Sequence, residues 1–209
     1  MACYVRLMRK EDVVQVVEID REAFPTPWPQ ANYERELTNQ LAHYIVACDD
    51  EQMVDEAEAE AAWEETKQSL GFILRLIFRN RVAPPSGKQY VAGFAGFWIM
   101  AGEAHIVNFA VRQSYRRKGI GELLLISLID LARELNSLLI TLEVRASNTA
   151  ALSLYRKYGF SQTGLRRGYY SDDREDGVIM TVENIGSASF QERLNHQKQA
   201  HSKKWGVAL

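Results

Sequence analysis

The chain has 209 residues, of which 46% are hydrophobic and 10% aromatic, enough to bury one good core in a single domain with attachments. Its formal net charge of -2 excludes attraction to nucleic acid or anionic membrane over the whole surface, so any polyanion must meet a local patch. The 2 cysteines are too few for a disulfide framework, and the 4 histidines have no metal-ligand spacing, so no metal is expected.

The first quarter of the chain alternates between helical and extended patterns. Val13, Val16 and Val17, with Asp20 one turn on, repeat at helical spacing, and Asp12 falls on the opposite side. Three prolines then break the pattern. The predicted elements are a helix over 10–24, a short helix over 32–39 and a strand over 42–50.

An unusual segment follows at about 49–89. Its first half is strongly acidic and is expected to be a solvated helix or a flexible loop. In its second half, Leu70, Ile73 and Leu74 fall on one helical face. This face either packs on the domain, or the segment 49–81 uses it to contact a membrane surface or a partner. We expect one domain over 1–183, with this segment as an insertion.

The remaining sequence alternates strands and helices. The predicted elements are a strand hairpin over 89–111 turning at Gly102, a helix after a basic glycine loop, a strand over 137–145, a helix over 148–158 ended by Gly159, and strands over 160–167 and 177–183. This order predicts an α/β fold with a mixed sheet and helices on both faces. Residues 184–209 are polar and predict an extension outside the core.

The glycine loop, SYRRKGIGE, suggests a seat for an anion. A helix start exposes unpaired amides and the positive end of the helix dipole, and glycine lets a ligand approach the backbone closely. Arg117 and Lys118 would add charge. A helix that simply begins with basic residues in solvent is the alternative, because a lone GxG is a weak motif.

The motifs that follow the glycine loop indicate which anion would bind there. Arg116-x-x-Gly119-x-Gly121, a strand, Asn148, Tyr155 and Gly159-Phe160 together resemble the GNAT acetyltransferases. The phrases AFPTPW, NFAV, LEVRASN, LYRKYGF and RRGYY are most similar to the RimI group, which acetylates the N-terminal alanine of a small-subunit ribosomal protein. The resemblance implies the GNAT fold, with a mostly antiparallel sheet whose central strands splay apart.

The resemblance also implies where the cofactor binds. The anion would be the pyrophosphate of acetyl-CoA, and the thioester arm would lie beside the strand that holds Phe109. The alternative role for Asn148 is a helix N-cap, which is compatible with contact to the arm. The implied cofactor-binding residues are Phe109, Ala110, Val111, Arg116, Arg117, Lys118, Gly119, Ile120, Gly121, Glu122 and Asn148.

Two residues are the implied catalysts. Glu143 is the expected general base, with pairing to Arg145 or Arg117 as the alternative. Tyr155 is the expected general acid, since a phenol is protonated at neutral pH, although its helical spacing also suits a core aromatic.

The expected substrate is a protein N-terminus, held by Trp28, Tyr169 and Tyr170; strand-end packing is the alternative role of the tyrosine pair. The acidic residues near this pair would favour a cationic substrate tail. A GNAT that acetylates a small amine, or a non-catalytic acyl-CoA-binding module, are the rival functions. No nucleic-acid partner and no membrane insertion are expected, and the absence of a signal-peptide pattern predicts a cytoplasmic protein.

Overall fold

The computed structural model describes residues 3–54 and 88–206. Seven strands form one sheet in the order β1-β2-β3-β4-β5-β7-β6, in which every neighbouring pair is antiparallel except β4 and β5. The strands are β1 (Cys3–Leu7), β2 (Ala42–Val54), β3 (Lys88–Met100), β4 (Glu103–Val111), β5 (Leu139–Arg145), β6 (Ser161–Arg166) and β7 (Gly177–Glu183). The predicted hairpin is confirmed, with Ala101 and Gly102 both at positive φ in its turn.

Within residues 3–54 and 88–206, five α-helices cover the two faces of the sheet. They are α1 (Val13–Ala23), α2 (Gln30–Glu36), α3 (Ile120–Glu134), α4 (Thr149–Lys157) and α5 (Ala188–Trp205). Side chains of α1 and α2 join one buried cluster, and those of α3, α4 and α5 join the other. The predicted mixed sheet with helices on both faces is therefore confirmed. None of these helices, within the residues described, combines the length and apolar character that a membrane span needs.

The sheet opens between β4 and β5. These parallel strands pair only from Glu103 with Leu139 to Ile106 with Leu142. Beyond that point β4 stays with β3, and β5 stays with β7. The central strands therefore diverge, as the predicted splay requires, and leave a gap that begins at Glu143.

A β-bulge in β4 changes which side chains face the helices. Its register with β3 shifts between Gly96 and Phe97, so that Val107 is the extra residue. Ile106 before the bulge and Phe109 after it both pack on the α3 side, whereas simple alternation would send them to opposite faces. The bulge thus turns the ring of Phe109 toward α4.

Two expectations from the sequence are wrong. Asp12 is buried rather than on the solvent side, because its carboxylate accepts hydrogen bonds from Arg6 at 2.6 and 2.7 Å. Residues 184–206 do not lie outside the core, since Phe190 and Leu194 of α5 are buried in it. Their spacing of one helical turn gives this polar helix a narrow apolar stripe. The predicted insertion lies outside the described residues over 55–87, and the domain boundaries stay a prediction.

Candidate active site

The glycine loop forms a sharp turn into α3. Gly119 is the N-cap of α3 with φ of +83°, a left-handed conformation that suits glycine. The first amide bonded within the helix is that of Leu123, which donates to the Gly119 carbonyl at 3.0 Å. The amides before it have no partner within the helix, and three exposed cations, Arg116, Arg117 and Lys118, precede them. This turn has the free backbone amides and the positive charge that an anion-binding site needs.

The first turn of α3 has different neighbours on its two sides. A Cβ at Gly121 would meet Leu154 of α4 at 3.6 Å and Phe109 at 3.9 Å, so this side faces the gap. A Cβ at Gly119 would lie 2.7 Å from the indole ring of Trp205, at the end of α5. The turn therefore lies between the gap and the C-terminal helix.

The edge of β4 in the gap offers backbone donors. The Arg112 amide donates to Ala92 of β3, and the alternation of an antiparallel ladder points the amides of Val111 and Phe109 away from β3. The Val111 carbonyl on this side accepts from Arg116 Nε at 3.3 Å. An extended ligand in the gap would find main-chain donors along this edge, as an added strand does.

Glu143 lies at the start of the gap, with its carboxylate shielded from solvent. Its side chain is 6% exposed, and it alternates with Leu142 and Val144, so it faces the α1 and α2 side. Its carboxylate lies 3.0 Å from His105 Nε2 and 3.1 Å from Arg166. The pairing considered from the sequence, with Arg145 or Arg117, is not the one found.

Tyr155 borders the gap from the opposite face. The residue is 5% exposed, and its ring packs edge-on against Phe109 with centroids 6.1 Å apart, and against Phe160 at 5.6 Å. Burial, and secondarily the neighbouring Tyr170, raise the pKa of Tyr155 well above its usual range. Tyr155 is thus both a core aromatic and a protonated phenol beside the gap.

The loop before β7 is organised around Arg145. This guanidinium donates to both Asp172 oxygens at 2.7 Å and to Glu175 at 3.1 Å, and it lies 4.0 Å from the Tyr170 ring centroid. Its hydrogen bonds lower the pKa of Asp172. Three acidic residues of this loop, Asp172, Asp173 and Glu175, are therefore partners of Arg145, and their attraction for a cationic substrate tail stays a prediction.

The tyrosine pair of this loop interacts electrostatically with Glu143. The rings of Tyr169 and Tyr170 meet edge-on at 5.2 Å, and Arg166 lies 5.4 Å from the Tyr169 ring centroid. Burial raises the pKa of Tyr170 to about 12, opposed by Arg145 and assisted by Tyr169 and Glu143. The pair therefore belongs to the same electrostatic cluster as Glu143.

The two other predicted residues lie on either side of this region. Trp28 is half-buried, its amide donates to Asp20 at 2.6 Å, and its ring packs on Tyr33. Asn148 is exposed and caps α4, because its side chain accepts from the Ala151 amide at 3.1 Å. The capping alternative for Asn148 is thus confirmed, and its contact with a ligand stays a prediction. No cluster of three or more metal-ligating side chains occurs in the residues that the structure describes.

Several neighbours of these residues were not predicted. His105 contacts Glu143 from the neighbouring strand β4, and Arg166 contacts it from β6 across β7, so both pairings depend on strand register. His201 and Trp205 of α5 contact Gly119, the histidine through its ring nitrogen at 3.0 Å from the Gly119 carbonyl. Phe190 and Leu194, at helical spacing after the capping Ser187, were the signal that this helix packs on the domain.

Comparisons with known proteins agree with this geometry. Residues 13–160 match the acetyltransferase (GNAT) family. The chain is 32% identical over 179 residues to a putative [ribosomal protein bS18]-alanine N-acetyltransferase of Bacillus subtilis, covering 85% of this chain and 93% of the relative. It is 30% identical over 182 residues to an N-alpha-acetyltransferase of Sulfurisphaera tokodaii, covering 85% and 91%.

The fold comparison gives the same family. The crystal structure of the ribosomal-protein-S18-alanine N-acetyltransferase from Escherichia coli superposes with a TM-score of 0.63 and 25% identity, covering 87% of this chain and 94% of that one. This chain is an N-acetyltransferase and belongs to the GNAT family.

Proposed function

We propose that this protein transfers the acetyl group of acetyl-CoA to the N-terminal α-amine of a protein, with the N-terminal alanine of a small-subunit ribosomal protein as its substrate. The observation that carries the proposal is the gap between β4 and β5, which Glu143 borders on one face of the sheet and Tyr155 on the other. The named activities of the bacterial and archaeal relatives support the choice of an α-amine.

The residues around the gap fit acetyl-CoA. Its diphosphate would take the free amides of the α3 turn and the charges of Arg117 and Lys118. Its extended arm would take main-chain donors of Phe109 and Val111. A Cβ at Gly121 would lie in van der Waals contact with Leu154 and Phe109, so the lack of a side chain there leaves more room for the arm. When bound, acetyl-CoA supplies a thioester carbonyl that the amine attacks, forming the C–N bond and releasing the thiol.

Glu143 is assigned to take the proton of the substrate amine. The α-amino group of a peptide has a pKa of about 7.7 to 8.0, so its deprotonation near pH 7 costs about 1.4 kcal/mol, which a single well-placed carboxylate can offset. His105 fixes one carboxylate oxygen at 3.0 Å and is itself one-third exposed, with a side-chain exposure of 34%. It would orient the base and connect it to solvent.

Tyr155 is assigned to protonate the departing sulfur. Because burial raises its pKa, the phenol remains protonated throughout the neutral range and is available as a donor. Its ring lies against Phe109, on the strand along which the thioester arm would run. The acid would therefore act from the α4 side, while the base acts from the side of α1 and α2.

The amine would reach the gap past the tyrosine pair and Trp28. Stacking on Arg145 fixes Tyr170, and the hydrogen bond from the Trp28 backbone amide to Asp20 fixes Trp28. Both aromatic surfaces are therefore held in place before substrate binds. Preorganised aromatic surfaces suit an extended peptide N-terminus.

The test is release of free CoA from acetyl-CoA with three amines: an alanine-starting peptide, spermidine and an aminoglycoside. We expect release only with the peptide, and mass spectrometry should find the acetyl group on its α-amine. The same peptide with a blocked N-terminus is the control. Release with a small amine alone would contradict the substrate assignment, and acetyl-CoA binding without release with any amine would indicate a non-catalytic binding module.

A further inference from the structure

A cavity of about 320 Å³ lies between the first turn of α3 and the end of α5. Its wall includes Lys118, Gly119, Ile120, His201, Lys204 and Trp205. Both lysines are exposed, and neither has an acidic partner among the residues described. The volume falls within the roughly 300 to 1,000 Å³ typical of small-molecule sites. Lys118 lies 5.2 Å from the Tyr115 ring centroid and Lys204 lies 4.7 Å from the Trp205 ring centroid, so their contacts in the described residues are aromatic rather than acidic. The cavity thus combines two cations that no described carboxylate neutralises with a helix N-terminus.

His201 supplies an independent sign of a ligand. The residue is 3% exposed and lines the cavity, and its Nε2 lies 3.0 Å from the Gly119 carbonyl oxygen. Because a carbonyl can only accept, Nε2 carries the proton in this contact. Its Nδ1 is buried and has no partner in the part of the chain that the structure describes, and the same holds for Trp205 Nε1. Buried polar atoms of native proteins are normally satisfied, so these two point to a missing polar partner.

The cavity lies where a molecule in the gap would continue. Gly121 faces Phe109 and the gap, whereas Gly119 faces Trp205 and the cavity. A ligand with its arm in the gap and its diphosphate on the α3 turn would extend past Gly119 on this second side. The next part of acetyl-CoA beyond the diphosphate is a ribose that carries a 3′-phosphate. Two cations and the unpartnered indole N–H of Trp205 match a phosphate monoester, because all three groups donate, and the Nδ1 acceptor of His201 matches a ribose hydroxyl.

We propose that the cavity formed by α5 binds the 3′-phosphate of acetyl-CoA, with Lys204 and Lys118 as its cationic ligands and His201 as the group that ties α5 to the glycine turn. This inference rests on the proposed function, since it concerns the same cofactor. It assigns a role to α5, which lies beyond the matched residues 13–160. The C-terminal helix then completes the cofactor site.

The test compares CoA with 3′-dephospho-CoA by calorimetry, in the wild-type protein and in Lys204→Ala. Lys203→Ala is the matched control, because Lys203 is an exposed neighbour on α5 that does not line the cavity. We expect the wild type and the control to prefer CoA by at least roughly tenfold, since one charge-assisted hydrogen bond alone contributes about that factor. The Lys204→Ala preference should fall several-fold, with Lys118 retaining a part of it, and Lys204→Arg should retain most of the wild-type preference.

The outcomes separate this inference from the proposed function. No wild-type preference for CoA, or a full preference in Lys204→Ala, would overturn the inference, even while both acetylated cofactors support peptide acetylation. If neither acetyl-CoA nor its dephospho form binds, the proposed function fails together with the inference. A preference lost equally in the Lys203→Ala control would show a general charge effect and would also overturn the cavity assignment.

Discussion

His105 and Glu143 lie 3.0 Å apart on neighbouring parallel strands, at the point where those strands separate. Glu143 is the first residue of β5 beyond the last pair, Ile106 with Leu142. Among the strands that the structure describes, β4 and β5 are the parallel pair, and their pairing ends one residue before the carboxylate assigned as the base. The contact with His105 fixes that carboxylate at the mouth of the gap.

Replacing Glu143 with Gln should lower kcat/KM for an alanine-starting peptide by on the order of 100-fold, because the variant keeps the shape and loses the base. The remaining activity should rise with pH toward 8, since the free-amine fraction of the peptide increases over that range. Glu103→Gln is the control, at an exposed carboxylate of the same sheet. A variant with the wild-type rate at pH 7 would exclude Glu143 as the base.

Replacing Tyr155 with Phe should reduce turnover by on the order of 100-fold with little change in acetyl-CoA affinity, as expected for loss of an acid that acts only in the chemical step. The control is Tyr90→Phe on β3, because the Tyr90 ring packs on Tyr115 and Arg112 rather than at the gap. Stopped-flow turnover and calorimetric affinity check both statements. Equal turnover in the two variants would remove the role of Tyr155.

Replacing Gly119 with Val should weaken acetyl-CoA binding, because a β-branched residue at φ +83° is strained and its Cβ would meet the Trp205 ring at 2.7 Å. The backbone strain alone should cost roughly 1 to 3 kcal/mol of unfolding free energy. Gly186→Ala is the control, since a Cβ there would enter open space. Adding Trp205→Ala to the valine variant should relieve the clash but not the strain. Unchanged affinity in the single valine variant would show that this turn does not bind the diphosphate.

Replacing Arg145 with Ala should raise the KM for the peptide several-fold while leaving acetyl-CoA affinity unchanged, because the loop that carries Tyr170 would lose its central cation. Arg145→Lys should not restore the KM, since lysine cannot donate to two carboxylates as a fork and stack on the ring. Arg167→Ala, at an exposed position of the same loop, is the control. A KM equal to that of the wild type would show that the loop does not help to bind the peptide.

Replacing Asp20 with Asn should stabilise the protein at neutral pH. Burial raises the pKa of Asp20, so the folded state keeps this proton to higher pH than the unfolded state, and stability falls as pH rises through the ordinary aspartate range. The side-chain oxygen of asparagine can still accept the hydrogen bond from the Trp28 backbone amide. Urea unfolding should therefore show the variant to be the more stable at pH 7, with the difference fading below the usual pKa near 4. Asp50→Asn, at an exposed carboxylate, should show neither effect, and a less stable Asp20→Asn protein at pH 7 would contradict this reading.

Local patterns in the sequence predicted most of the fold. Gly102 at the hairpin turn and Gly159 after α4 both have positive φ, as their positions indicated. The apolar spacing of the residues after the glycine loop predicted α3, and the order of strands and helices predicted the mixed sheet. These features depend on backbone conformation and on spacing within one element.

Contacts between distant elements could not be predicted in the same way. The partners of Glu143 depend on the register of β4 against β5 and of β6 against β7, and nothing in the local sequence specifies that register. The grouping of Asp172 and Glu175 around Arg145 likewise depends on how a loop folds over a strand end. The packing of α5 had a signal in Phe190 and Leu194, but the many polar residues around them obscured it.

The most direct test of the central claim uses small-subunit ribosomal proteins from cells that lack this chain. They are incubated with acetyl-CoA and the purified protein, and intact-protein mass spectrometry then identifies which of them gain an acetyl group and where. We predict that a single protein beginning with alanine gains one acetyl group, on its α-amine, and that Glu143→Gln fails to add it. Acetylation confined to lysine side chains, or no acetylation of any ribosomal protein, would contradict the account.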